Sequence, residues 1–160
     1  MLGVKLVCTG KLKERFYIDA FEEYKKRLKA YCKFVCVELA EEKLSENPSP
    51  GEIQKALSKE AEEIRKNLPK DAYLIAMCVE GTQMSSEAVA EVFLQRAMSG
   101  KPNVCFIIGS SYGLDEGLKK SAELRLSMSK MTFPHHLARI MLLEQIYRAF
   151  KINEGSKYHK

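Results

Sequence analysis

Along this chain the apolar positions repeatedly change their spacing, from continuous or alternating runs to recurrences every three or four residues. "VKLVCTG" (4–10), "KFVCVEL" (33–39), "AYLIAMCVEG" (72–81) and "NVCFIIGSSYGL" (103–114) are of the first kind, and each predicts a strand. "LRLSM" (124–128) predicts a brief fifth. Between them, residues 13–30 place Phe16, Tyr17, Ala20, Phe21, Tyr24 and Leu28 at helical spacing, with Lys and Glu on the other side. "SPGE" (49–52) offers a Ser N-cap, a Pro at the first helical position and a Glu to close a capping box. Ile53, Leu57, Ile64 and Leu68 carry that helix to Pro69. "SSEAVAEVFLQRAMSG" (85–100) starts on Ser, aligns Val89, Val92, Phe93 and Ala97, and stops at Gly100. A short helix over about 115–123 and a long one after Pro134 complete the pattern.

Five strands, each followed by a helix, predict an α/β fold: one five-stranded parallel sheet with helices on both faces. Ligands of such sheets bind beyond the carboxyl ends of the strands. Three turns lie there: "VEGTQMSS" (79–86), "IGSSYGL" (108–114) and "SMSKMTFPH" (127–135). The last helix is unusual, because Leu137, Ile140, Met141, Glu144 and Tyr147 form one stripe while Leu142, Leu143, Ile146 and Phe150 fill much of the remainder. One sheet face cannot cover all of it, which predicts a symmetric dimer built on this helix.

A chain of 160 residues can bury roughly two-thirds of its unfolded surface in one core, so residues 1–160 are expected to form a single domain. No apolar run reaches the roughly 18–20 residues of a membrane helix, and "MLGVKLVCTGK" turns charged too soon for a signal peptide, so a cytoplasmic location and no membrane partner are expected. The net charge of +5 is compatible with a polyanionic partner. Its distribution matters more: "YKKRLKAYCK" (24–33) and the terminal "KINEGSKYHK" are locally basic. Of five cysteines, Cys8, Cys78 and Cys105 sit in strand runs as small hydrophobes. Cys32 and Cys36 lack a second pair at zinc-site spacing, so neither a disulfide framework nor a metal is expected.

The site candidates are narrowed by what is missing. "GSSYG" (109–113) is neither G-x-G-x-x-G nor a Walker loop, no G-x-S-x-G elbow occurs, and the three His (135, 136 and 159) have no metal-ligand spacing. What remains is a pocket of three strand-end loops with Met77, Met128, Met131 and Phe133 as apolar lining. Such a pocket suits an adenine and a sulfonium better than a triphosphate, since no cations converge on it. On composition alone, methionines filling an ordinary core account for the same residues.

A specific likeness goes further. "IIGSSYGL", the string T-x-P-H-x-x-x-R-x-x-x-x-E-x-x-Y-R-A at 132–149 and the final "YHK" resemble the RlmH family, small SPOUT-superfamily methyltransferases that modify N3 of a pseudouridine in large-subunit (23S) ribosomal RNA. The likeness spans "GKLKE" (10–14) to Lys160. It implies a C-terminal trefoil knot, a homodimer, S-adenosyl-L-methionine as cofactor, and ribosomal RNA, presented within the ribosome, as substrate. Carried over by position, the cofactor contacts fall on Met77, Gly109, Met128, Ser129, Lys130, Met131, Thr132 and Phe133. One departure stands out: the family's I-G-G turn is Ile108-Gly109-Ser110 here, and the added Cβ puts the local backbone angles in question.

Pro134 is expected to open the last helix, and His135 to bond backbone at its start. The resemblance also selects the tail, with His159 as proton acceptor or RNA contact and Tyr158 as a stacking surface. Lys157, Lys160, Arg139 and the helix between Arg15 and Lys33 are expected to meet RNA, and the tail of one subunit to lie near the cofactor of the other. Two other functions fit the same residues: a sensor that binds S-adenosylmethionine without turnover, and a non-catalytic RNA-binding factor associated with the ribosome.

Overall fold

The structure, a computed structural model, describes residues 1–160 and follows the predicted alternation of elements. In chain order they are β1 (Leu2–Thr9), α1 (Arg15–Leu28), β2 (Cys32–Leu39), α2 (Pro50–Lys66), β3 (Tyr73–Gln83), α3 (Ser86–Met98), β4 (Asn103–Ile108), α4 (Glu116–Ser121), β5 (Leu124–Ser127) and α5 (His135–Asn153). All pairings are parallel, in the order β2-β1-β4-β3-β5.

Alternation along the central strands splits their side chains between two cores. Leu6 and Cys8 of β1 and Phe106 and Ile108 of β4 join Phe21, Phe93, Leu142, Leu143 and Ile146 in the larger one, beneath α1, α3 and α5. Val7, Cys105 and Ile107 point the other way, to Ala61, Ile64, Leu114 and Leu118 of the α2–α4 side. Being buried on both faces is why these strands read as continuous apolar runs. Burial pushes the Cys105 and Cys32 thiols up to about 12, in keeping with cysteines that act as core hydrophobes.

The caps follow the sequence in part. Ser49 Oγ accepts from Glu52 N at 3.2 Å, and Ser85 Oγ accepts from Ala88 N at 3.1 Å. Glu52 does not close the expected box; its carboxylate takes the Ser45 hydroxyl. Pro134 is the residue before the first turn of α5 rather than its first helical residue, and its carbonyl accepts from Ala138 N. The many-sided apolarity of α5 is absorbed largely within the chain, because α5 lies against both α1 and α3 as well as the sheet. Met141 and Leu137 stay half-buried.

Candidate functional site

The strand order fixes where a ligand can enter. β3 and β4 are neighbours, yet β3 leads into α3 on one face and β4 into α4 on the other, so their carboxyl ends part and leave a crevice. A cleft of about 700 Å³ occupies that place, lined by Met77 to Glu80 within β3, Ile108 to Leu114 at and beyond the end of β4, and Met128, Ser129 and Met131 to His135 after β5. The second and third are turns picked out in the sequence; of the first, 79–86, only Val79 and Glu80 reach the cleft, because β3 runs on to Gln83. Of the expected cofactor residues, Met77, Gly109, Met128, Ser129, Met131, Thr132 and Phe133 line the cleft. Lys130 is the exception: it is exposed and faces away from the lining.

Each turn has a local cause. In β3 the pairing with β5 slips between Met77 and Thr82, both opposite Leu126, so residues 78–81 arch out of the sheet into the cleft rim. After β4, Gly109 is held so close to the Gly113 carbonyl that a Cβ there would collide with it. Gly113 itself sits at φ 88°, the left-handed region that favours glycine. Ser110, the departure from I-G-G, has no such angle. It is buried, and its hydroxyl donates to Glu60 Oε1 of α2 at 3.0 Å. The Cβ is therefore accommodated without backbone strain, and the loop gains a strut to α2. Glu60 also accepts from Glu42 N at 3.0 Å; burial holds its carboxyl above the usual range, the two hydrogen bonds opposing.

The electrostatics of the cleft are mild. Its one lining cation, Lys119, is paired with Glu80 and with Glu116 at 3.0 Å, so no free positive charge awaits a phosphate. His135 forms part of the wall, and its Nε2 is buried without a hydrogen-bond partner, although Glu41 Oε1 lies 3.3 Å away. Desolvation, helped by His136, lowers its pKa below the ordinary value, so at neutral pH the ring is uncharged. The expected bond from His135 to backbone is not made; the imidazole packs in the wall with Nε2 turned toward Glu41, closed off from solvent. The tight turn at Gly109 and the thioethers of Met77, Met128 and Met131 suit a flat heterocycle and a sulfonium.

Tyr158 and His159 do not line the cleft. The tail folds back on α5 and α3, where Tyr158 donates to Glu144 Oε1 at 3.1 Å and lies edge-on to Tyr147, with the Arg148 guanidinium 4.8 Å from its ring centre. Burial and the Glu144 bond raise the phenol pKa, so it stays a donor. His159 Nε2 is 2.7 Å from Glu87 Oε1, and its Nδ1 is 3.3 Å from Arg148 Nη1. A carboxylate only accepts and a guanidinium only donates, so the neutral Nε2–H tautomer satisfies both partners. Lys157 and Lys160 are exposed beside them. Glu144 also borders a cavity of about 430 Å³ that shares Leu126 and Met128 with the cleft, so tail and cleft are neighbours across one wall.

Arg139 corrects the reading of the sequence. It was expected to meet RNA, but it is only 1% exposed. Its Nη1 donates to Glu38 Oε2 at 2.6 Å and its Nη2 to the Gly10 carbonyl at 2.9 Å, while Leu12 N donates to the same Glu38 oxygen. It clasps α5 to the ends of β1 and β2. Sequence reasoning also missed Glu80, Lys119 and Glu60, whose pairings depend on residues up to 50 positions away and leave no local signal.

Comparison with known proteins agrees with this geometry. Residues 2–159 match a family model described as "Predicted SPOUT methyltransferase". A protein of Bifidobacterium adolescentis named ribosomal RNA large subunit methyltransferase H is 47% identical over 159 residues, covering 99% of this chain and all of the relative. One of the same name from Streptococcus equi subsp. zooepidemicus is 42% identical with the same coverage. Among solved structures, one described as a "probable methylase family protein" from Haemophilus influenzae superposes with a TM-score of 0.54 at 16% identity, covering 100% of this chain and 72% of its own. With the family model matched over nearly its whole length and relatives alike from end to end, this chain belongs to the SPOUT methyltransferase family.

Proposed function

We propose that this protein is an S-adenosylmethionine-dependent methyltransferase of large-subunit ribosomal RNA, acting on N3 of a pseudouridine. The observation that carries the reading is the cleft itself: apolar, rich in thioethers, free of unpaired cations and placed at the parting of β3 and β4, in a chain alike from end to end to proteins named for that RNA. When bound, the cofactor supplies an electrophilic methyl group.

The chain's own residues have two tasks. The first is to hold the cofactor. Gly109 lets the loop after β4 fold tightly at the cleft edge, and Met77, Met128 and Phe133 pack the cofactor. Fixing two reactants in attacking geometry is worth roughly 7–11 kcal/mol of barrier. The second is to handle the imide proton, since the target nitrogen is protonated at neutral pH. That falls to the tail, where His159 has an imidazole to accept a proton and Tyr158 a ring to stack on the base. The single chain does not deliver the tail to its own cleft, so we assign the complete site to a homodimer in which the tail of one subunit serves the cleft of the other. The half-buried Met141 and Glu144 around the neighbouring cavity support that surface. The C-terminal knot, the ribosome as the form in which RNA is met, the cytoplasm as location, and residues 1–160 working as one domain belong to the same reading. No helix of the chain is long and apolar enough to cross a membrane.

The test is direct. The purified protein is incubated with methyl-labelled S-adenosylmethionine and ribosomes lacking the modification, and the digested RNA is analysed by mass. Label on a pseudouridine is the expected result. Cofactor binding without label would turn the assignment to a sensor, and no cofactor binding would turn it to an RNA-binding factor.

A further inference from the structure

The carboxyl edge of the sheet carries one more surface that the cleft does not explain. Phe16, in the first turn of α1, is 65% exposed, a large apolar ring facing water. Its centroid lies 4.4 Å from that of Tyr17; Tyr17 meets His136 edge-on at 6.1 Å; and His136 lies 4.2 Å from His135, a wall residue of the cleft. Four rings thus run without a break from open solvent to the cofactor site. The chain that leads into this ring carries Lys11, Lys13 and Arg15, all exposed. Lys11 and Lys13 make no ion pair, whereas Arg15 reaches Asp19 at 3.1 Å with its side chain 85% exposed. The one carboxylate within residues 11–17 is Glu14, drawn 3.7 Å from His136 Nδ1.

We propose that this surface is a docking face for single-stranded RNA, with one unpaired base stacked on Phe16 and adjoining phosphates held by Lys11 and Lys13. It rests on the methyltransferase reading and names the part of the substrate that the cleft does not hold. An exposed aromatic ring flanked by unpaired cations is the chemistry that recognises unstacked bases and their backbone together. An apolar peptide would use the ring and leave the cations idle. The position agrees: a helix that follows a parallel strand starts at the carboxyl edge and runs back, so α1 carries its other basic run, Lys25 to Arg27, about 15–18 Å along the helix from its first turn.

The chain has no Trp, so Phe16→Trp introduces a single fluorescent ring at the proposed stacking position. Adding a short oligouridylate should quench that fluorescence, and Lys11→Gln with Lys13→Gln should flatten the dependence of the quenching on salt. With unmodified ribosomes, Phe16→Ala should raise KM for RNA about tenfold while kcat and cofactor affinity stay within about twofold, and Phe16→Trp should restore KM. An unquenched Trp, or an Ala variant with the KM of the parent, overturns the proposal while methyl transfer by the parent still stands. A parent that transfers no methyl group yet shows quenching in Phe16→Trp separates the fates: the docking face holds and the methyltransferase reading fails. Sedimentation of Phe16→Ala at a lower mass than the parent would show a second copy covering the ring, and would overturn it as well.

Discussion

The cleft and the tail patch are made of opposite materials. The cleft is shaped by backbone: a slipped register in β3, a glycine pressed against a carbonyl, and methionines seated at strand ends. Beyond Ser156, whose N–H reaches the Lys151 carbonyl, the tail is held by side chains, through Glu144, Arg148 and Glu87, on the outside of α3 and α5. Backbone architecture positions a cofactor durably, whereas a patch of polar contacts can be released and remade. The two regions should therefore fail in different ways when they are altered.

The largest effect separates them. Deleting residues 156–160 should leave cofactor affinity unchanged by calorimetry and lower methyl transfer by about 10²–10⁴-fold, the share a positioned proton acceptor supplies. Full activity after deletion would end the distinction. Gly109→Ala acts on the cleft alone: the new Cβ meets the Gly113 carbonyl, so cofactor affinity should fall about tenfold or more, equivalent to at least 1.4 kcal/mol, with the tail still docked. Arg139→Met touches neither directly. It removes the clasp on Glu38 and Gly10, and chemical denaturation should show a loss of about 3 kcal/mol, with residual activity at low temperature.

The smallest effect concerns Glu60, which lies under the cleft loop. Its folded pKa is raised by burial, so folding disfavours the ionised form. Its penalty is absent below the ordinary carboxylate range and appears as pH rises through the raised value. Glu41, Glu42 and the Ser110 hydroxyl are the groups that face it. Glu60→Gln should flatten the melting temperature between pH 4 and 7 and change it at pH 7 by less than about 1 kcal/mol equivalent. A steeper pH dependence in the variant would refute the assignment.

Much of the cleft was legible because strands and caps are local. Val7 and Ile107 declare a two-sided strand by their neighbours, and Ser49 and Ser85 announce their helices within four residues. The three turns followed from the order of those elements, and the resemblance filled in Met77, Gly109 and Met128 to Phe133. Arg139 misled because charge in a helix predicts solvent unless a distant partner is known, and Glu38 is 101 residues away. His135 and Ser110 were noticed for the wrong reasons: the first bonds no backbone, and the second needs no special angle. What the tail touches was hidden for the same cause as the pair of Lys119 with Glu80, since side-chain pairings between elements have no period along the chain.

The Arg139 clasp also governs time. Its bond to the Gly10 carbonyl closes a loop of 129 residues, and the parallel sheet beneath it joins strands that are never adjacent hairpins. Contacts of such long sequence separation are costly to form early, so the clasp belongs to the last stage of folding. A late contact restrains unfolding more than it hastens folding. The guanidinium buried at the junction of β1, β2 and α5 is thus expected to slow unfolding, which Arg139→Met should show as faster unfolding with a nearly unchanged folding rate.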